Sequence, residues 1–369
     1  MSSEAKGRVD SMVKEALKEA MEKRKLSAKT EEVAEVFEEA IETVEKEIEV
    51  ALTPTKDGQK LLSDILGKDV TSNNFPVTCF FDYNWDEKIA FLIPEIDTNY
   101  VLDEKLCRDV LMSWELNDKT LMYGPTGAGK SSLIEQLCAR TNRPFLRINC
   151  TGDMDSSMIF GQLTAKDGST HWEDGSVTEA VKYGAVFAWD EWDVTPPEIS
   201  MGLQWLLEEN GKLVLKEKPG AIKDKHIVPH EFFRIVAIGN TQGQGDDTGA
   251  HSGTNVQNTA TLDRFGTAVY VDYLAADVEE KMLKNKFDKV LSVKATKELV
   301  KLANLVRQGY KAGQFNLTIS PRTLLNICKK LRAGSSLRQA FTTTYLNKLN
   351  DTQRKVADEL FVKIYGTSI

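Results

Sequence analysis

The sequence predicts an α/β fold: a mostly parallel sheet with helices on both faces, a helical C-terminal domain and a helical N-terminal region. Three observations predict it. Between residues 98 and 274, short apolar segments of strand length alternate with helical stretches, the pattern that parallel sheets with covering helices require. After about residue 275 the strand-like segments stop and only helical periodicity remains. Residues 1 to about 50 are rich in Glu, Lys and Ala and contain no proline. The predicted division is therefore a helical N-terminal region (1–60), an extended connecting region (61–97), an α/β domain (98–274) and a helical C-terminal domain (275–369).

Taken in order, the first element comes from "TEEVAEVFEEAIETVEKEIEVAL". There Val33, Phe37, Ala40, Ile41, Val44, Ile48 and Ala51 recur at three- and four-residue steps, giving one apolar stripe on a glutamate-covered helix. Thr30 is placed to cap it, with Glu31 and Glu32 in the positive first turn. An earlier helix uses Val9, Met12, Val13, Leu17 and Met21. The pair reads as a solvated helical hairpin, a bundle, an oligomer contact or a partner dock. "LTPTKDGQ" breaks the periodicity as a linker. "VTCFF" and "KIAFLIP" read as extended, and "DEKLCRDVLMSWELN" as a helix. Then come the strands "KTLMYG", "PFLRINC", "AVFAWDE" and "FRIVAIGN", separated by helices such as "EISMGLQWLLEEN". Beyond them, "VEEKMLKNKF", "TKELVKLANLVRQGY" and "PRTLLNICKKLRAG" are helical.

The formal net charge of −8 disfavours nucleic acid as the main partner, because phosphate backbones call for a basic surface. The five cysteines are scattered with no C-x-x-C spacing, which argues for buried thiols in a reducing compartment rather than disulfides or zinc. No apolar run approaches 18 residues, and "MSSEAKGRVD" lacks the apolar core of a signal peptide. The expectation is a soluble cytoplasmic protein with no membrane partner.

The chemistry is carried by five motifs. Gly124-Pro125-Thr126-Gly127-Ala128-Gly129-Lys130-Ser131, with Ser132 following, fits G-x-x-x-x-G-K-[ST] between a strand and a helix. The glycines let backbone N–H groups wrap phosphate oxygens, and the helix N-terminus adds positive charge. Lys130 is the predicted ligand of the β- and γ-phosphates, and Ser131 of Mg²⁺. In "AVFAWDEWD" the apolar strand runs into Asp190, a second predicted Mg²⁺ ligand, and Glu191, a predicted general base for the attacking water. Both acids would otherwise be helix caps. In the sequence alone Asp193 is given no catalytic role. "FRIVAIGNTQ" ends in Asn240, placed to orient water beside the γ-phosphate. "NTATLDRFG" supplies Arg264, a candidate to reach a neighbouring subunit's site or else to make a surface salt bridge. "TISPRTLLNI" supplies Arg322 at a helix start opened by Pro321, a candidate contact for the γ-phosphate.

With these pieces in this order the chain resembles AAA+ ATPases, and more narrowly the MoxR/CobS clade that includes the small ATPase subunit of aerobic cobaltochelatase. The resemblance runs from "IPEIDTNYVLDEKL" to "SPRTLLNICKKL" and is marked by "AWDEWD", "GNTQGQGDDTG" and "NTATLDRF". It implies a three-layer αβα ATPase domain, a helical lid, ATP with Mg²⁺, and self-association into a ring, usually a hexamer. The resemblance gives Arg264 a finger role between subunits and Arg322 a sensor role, in its own site or the next. It further implies a motor for cobalt insertion into a corrin ring, working with a large chelatase subunit and an integrin-like subunit. A MoxR-like chaperone and another metal-chelatase motor remain open; a non-hydrolysing assembly module would need neither Glu191 nor Asn240.

Two segments resemble clade insertions: 158–175, where Phe160 or His171–Trp172 are candidates to touch a client, and 211–230, a hairpin around Pro219-Gly220. Asp246, Asp247 and His251 form a glycine-rich loop whose irregular spacing argues against a metal site.

Overall fold

A computed structural model describes residues 58–71, 73–243 and 257–366. The N-terminal helical stripe and the Asp246, Asp247, His251 loop lie outside the described residues.

Five parallel strands make the central sheet: β1 (Thr120–Tyr123), β2 (Phe145–Asn149), β3 (Val186–Asp190), β4 (Arg234–Gly239) and β5 (Thr267–Tyr270), in the spatial order β5-β1-β4-β3-β2. Every residue of β3 and β4 is buried, which is why "VFAWD" and "RIVAIG" are continuous rather than alternating apolar runs. β5 closes one edge and is half exposed; with one apolar position buried it carries too little pattern to be read as a strand from the sequence.

Besides the short helices Ser156–Phe160 and Ile222–Lys225, the α/β part holds α1 (Glu104–Glu115), α2 (Lys130–Thr141), α3 (Ser176–Tyr183), α4 (Pro197–Gln204) and α5 (Thr259–Leu262). They are followed by α6 (Ala276–Lys286), α7 (Val293–Lys311), α8 (Pro321–Arg332), α9 (Leu337–Thr344) and α10 (Asp351–Tyr365). One core, with Leu111, Trp114, Met122 and Leu137, fills one face of the sheet. A second, with Phe187, Trp189, Trp192 and Leu203, fills the other. The C-terminal helices enclose a third, with Leu299, Val306, Ile327 and Phe341. Three separate apolar centres give the molecule its αβα layers and a helical lid.

Residues 61–97 differ from the extended connection the sequence suggests. Only Gln59–Leu61 and Pro76–Thr78 are strands, paired antiparallel, while Leu62–Leu66 and Glu87–Ala90 are short helices. Leu62, Phe75 and Val77 enter the first core, and Phe80, Trp85 and Ile89 the second. Trp85 donates from Nε1 to the Asn142 carbonyl at 2.8 Å, and the Phe80 N–H donates to the Thr141 carbonyl at 2.9 Å. The segment is a belt around the sheet, because its apolar residues plug both cores at once.

The two insertions are antiparallel pairs, Gly161–Lys166 with Ser169–Asp174 and Leu213–Val214 with His226–Ile227. Phe160 and Trp172 pack inward against the second core, whereas His171, Met158 and Leu163 face solvent. Phe160 and Trp172 therefore serve packing here, and His171 alone of the three stays outside. Among the described residues, no helix is long and apolar enough to cross a membrane.

Candidate nucleotide-binding site

Register brings the candidate residues together. In the parallel ladder Gly239 pairs with Tyr123 and Ile238 with Asp190. The next residues of the three strands, Gly124, Glu191 and Asn240, therefore leave the sheet at one edge, where ligand crevices of parallel sheets form.

From β1 the chain turns through the glycine loop into α2. Gly124 has φ +147°, and a Cβ there would lie 2.1 Å from the Val271 carbonyl oxygen. Gly127 has φ +76°, and a Cβ there would meet Ser320 at 2.6 Å. Only glycine allows both approaches. The second contact also sets the start of α8, where Ser320 is the N-cap, directly on the loop. Tyr273 adds another tie, its hydroxyl donating to the Thr126 carbonyl at 3.1 Å.

Lys130 opens α2 and is buried. Its ammonium donates to the carbonyls of Gly124 at 2.7 Å and Pro125 at 3.1 Å, and to Asn240 Oδ1 at 3.1 Å. Burial pushes it down to about 8, against the pull of Glu191 and Asp190, while the charge of Arg322 pushes the same way as burial. Its hydrogen bonds go to two backbone carbonyls and an amide oxygen, and none of these three partners is charged.

Asn240 is the hub. Its Oδ1 accepts from Lys130 and, at 3.3 Å, from the Thr126 hydroxyl, and its Nδ2 donates to Glu191 Oε2 at 2.9 Å. Glu191 takes φ +55°, a left-handed conformation that costs a non-glycine residue roughly 1–2 kcal/mol. Burial raises its carboxyl above the usual range, followed by the charges of Asp190 and Asp193. Asp190 accepts from the Ser131 hydroxyl at 2.8 Å through Oδ2 and from the Glu191 N–H at 3.1 Å through Oδ1.

Three side chains that the sequence reading left without a role belong to this cluster. Asp193, fully buried, accepts through Oδ2 from the Asn240 N–H, the Thr241 N–H and the Thr241 hydroxyl at 3.1, 3.0 and 2.9 Å. It thereby fixes the backbone that aims Asn240. Arg147 on β2 pairs with Asp190 Oδ2 at 2.5 Å. Tyr100, from the "IPEIDTNYV" segment, has its hydroxyl 3.7 Å from where a Gly129 Cβ would sit. The last acid of "DEWD" was a usable signal for Asp193; Arg147 becomes visible only once β2 is known to lie beside β3.

Of the two candidate arginines, only Arg264 stands apart. Arg264 pairs with Glu208 at 2.5 Å and donates to the Ala260 carbonyl; these contacts do not include the loop, Asp190, Glu191 or Asn240. Its salt bridge is with Glu208 rather than the adjacent Asp263. Arg322 is exposed at the start of α8, close enough for its charge to act on Lys130 of the same chain. Ser132 is exposed on α2, and Ala128, within the loop, is buried.

Residues 119–265 match the family model described as an AAA domain of the dynein-related subfamily. The aerobic cobaltochelatase subunit CobS of a Sinorhizobium species is 28% identical over 284 residues, 75% of this chain and 84% of that one. An uncharacterized protein of Staphylococcus saprophyticus is 28% identical over 277 residues, 71% of this chain and 96% of that one. Among solved structures, the RuvB Holliday junction branch migration motor of Thermotoga maritima superposes with a TM-score of 0.43 at 15% identity, covering 75% of this chain and 81% of that one.

Proposed function

We propose, from the premise that this chain is an AAA+ ATPase resembling the cobaltochelatase subunit CobS, that it is a Mg²⁺-dependent ATP-hydrolysing motor subunit acting on a partner. The observation that carries the reading is the Lys130–Asn240–Glu191 chain of hydrogen bonds beside the Ser131–Asp190 pair. It brings Lys130, Asn240 and Glu191 together, and in this reading they act as phosphate-binding cation, water-orienting amide and general base.

In this reading the loop amides of residues 124–132 and the N-terminus of α2 cradle the triphosphate. Lys130 exchanges its carbonyl partners for β- and γ-phosphate oxygens. Ser131 and Asp190 offer a hydroxyl and a carboxylate oxygen 2.8 Å apart, a hard-oxygen pair that fits Mg²⁺. When bound there, Mg²⁺ neutralises charge on the phosphate oxygens. Asn240 holds the water that Glu191 deprotonates, and the raised carboxyl of Glu191 makes it a stronger base than a solvated glutamate. Arg322 acts in its own chain, supported by its effect on Lys130 and by the Ser320–Gly127 approach. Arg264 acts on a neighbouring subunit's nucleotide in a ring, supported by its separation from its own chain's cluster.

The client we infer is the remainder of a cobalt-inserting chelatase, a large tetrapyrrole-binding subunit with an integrin-like one; the CobS likeness supports it. Phosphate release from ATP with and without Mg²⁺ tests the motor: no release by the pure, assembled protein sinks hydrolysis. Affinity purification from the native host with a non-hydrolysable ATP analogue tests the client. Recovery of an unrelated protein in place of a large tetrapyrrole-binding subunit removes the chelatase assignment and leaves the motor.

A further inference from the structure

Asp190 carries more partners than a metal ligand needs. Its side chain is 7% exposed, and a carboxylate so placed must be compensated. Oδ1 takes the Glu191 N–H. Oδ2 takes the Ser131 hydroxyl at 2.8 Å and the Arg147 guanidinium at 2.5 Å. The two oxygens nominated to bind Mg²⁺ are thus bonded to each other, and a full positive charge sits on the shared carboxylate oxygen.

The origin of that charge is legible in the sheet. β2 is an edge strand beside β3, with Arg147 opposite Ala188 and Asn149 opposite Asp190. Arg147 and Asn149 share a face of the strand, so a long side chain at 147 reaches along the strand to the acid at the end of its neighbour. Arg147 is 45% exposed, so its side chain meets the carboxylate on one side and solvent on the other. Unlike Arg307, which is buried against Glu279 and the Ile319 carbonyl, it has room to leave.

We propose that Arg147 is a resident counter-ion for Asp190 that exchanges with the divalent cation. It neutralises the carboxylate while the site is free of metal and swings outward when metal arrives with the nucleotide. The exchange rests on the reading of Asp190 as a metal ligand. Its consequence is thermodynamic: displacing a bonded cation weakens the apparent metal affinity, just as any ligand is weakened when its competent state is only partly populated. A divalent ion alone is then held poorly, and one that brings polyphosphate oxygens with it is held well.

The test uses the full chain, Mn²⁺ as probe and free Mn²⁺ read by electron paramagnetic resonance at saturating ADP. Arg147→Ala and Arg147→Gln should bind Mn²⁺ roughly tenfold tighter than the wild type, with Arg147→Lys between. Thermal melts give an independent reading. In EDTA, Arg147→Ala should melt below the wild type, and the gap should close at saturating Mn²⁺ and ADP. Unchanged or weaker Mn²⁺ binding in a variant with wild-type circular dichroism overturns the exchange and makes Arg147 a support for Asp190. Absence of Mn²⁺ binding in the wild type and variants alike overturns the metal-site reading as well.

Discussion

At Glu191 the backbone does what a side-chain rotamer usually does. Its left-handed φ turns the carboxylate away from the direction β3 was heading and onto Asn240. On the proposed mechanism, Glu191→Gln should keep nucleotide binding and lower phosphate release by about 10²–10⁴-fold, the usual worth of a positioned base; unchanged turnover refutes the assignment. Lys130 gives a pH signature. Burial holds its ammonium near 8 in the free chain, whereas a bound polyphosphate favours the charged form. Below that pH, binding moves no proton at Lys130. Above it, binding must take one up, and ADP affinity measured without metal should fall by up to about tenfold per pH unit. Calorimetry at pH 9 in buffers of different ionisation enthalpy should register the proton uptake; a flat affinity from pH 7 to 9.5 contradicts it. The glycine loop, Lys130, Asp190 and Glu191 were legible in the sequence because each belongs to a short motif directly at or after a strand end, the loop and Lys130 between β1 and α2 and the two acids at the end of β3. Arg147 was not, because its meaning depends on which strand lies next to it.

Elements carry the next lesson, since the strands that were easy to read are those buried on both faces. "VFAWD" and "RIVAIG" are apolar without interruption because helices cover both sides of β3 and β4. β5 was hard to read because only Val269 of its four residues is buried, and the belt of residues 59–93 because its apolar residues divide between two different cores. The short turn Trp192–Val194 belongs to this scale. Through Asp193 it ties the end of β3 to the end of β4 by three hydrogen bonds to one oxygen. Replacing Asp193 with Ala strands the Asn240 and Thr241 N–H groups and should cost roughly 1–3 kcal/mol of stability. Hydrolysis should fall more than nucleotide affinity, because it is the aim of Asn240 that is lost. A variant with wild-type melting and turnover would show that the turn is held by something else.

For the whole molecule, the question is how one chain's chemistry meets another's. Arg264 is bound to Glu208 on the surface, and the ring reading asks it to serve a neighbouring site. Arg264→Ala should abolish ATP hydrolysis in the assembled protein while leaving nucleotide binding intact. Mixing it with Glu191→Gln subunits should restore activity at intermediate ratios, since a chain with a working base then meets a neighbour with a working arginine. Activity at no ratio removes the trans role. The division into α/β body and C-terminal helices was readable from where strand patterns cease. How the helices sit on the body was not, because the contacts that join them pair residues far apart in the sequence. Asp97 pairs with Lys286 at 2.6 Å, and Arg307, buried in the helical part, lies over the Tyr273 ring, whose hydroxyl touches the loop.

The approach of Gly127 to Ser320 joins the same two parts of the chain. No atom separates Gly127 from Ser320, and not even a methyl group fits between them. On the proposed reading the turn and the helix behind it act as cam and follower: a turn that swells around its cargo pushes the follower outward. A chain with alanine at 127 would have its follower held off from the start, and the stroke that filling and emptying should produce would be shortened before the first molecule of fuel arrived.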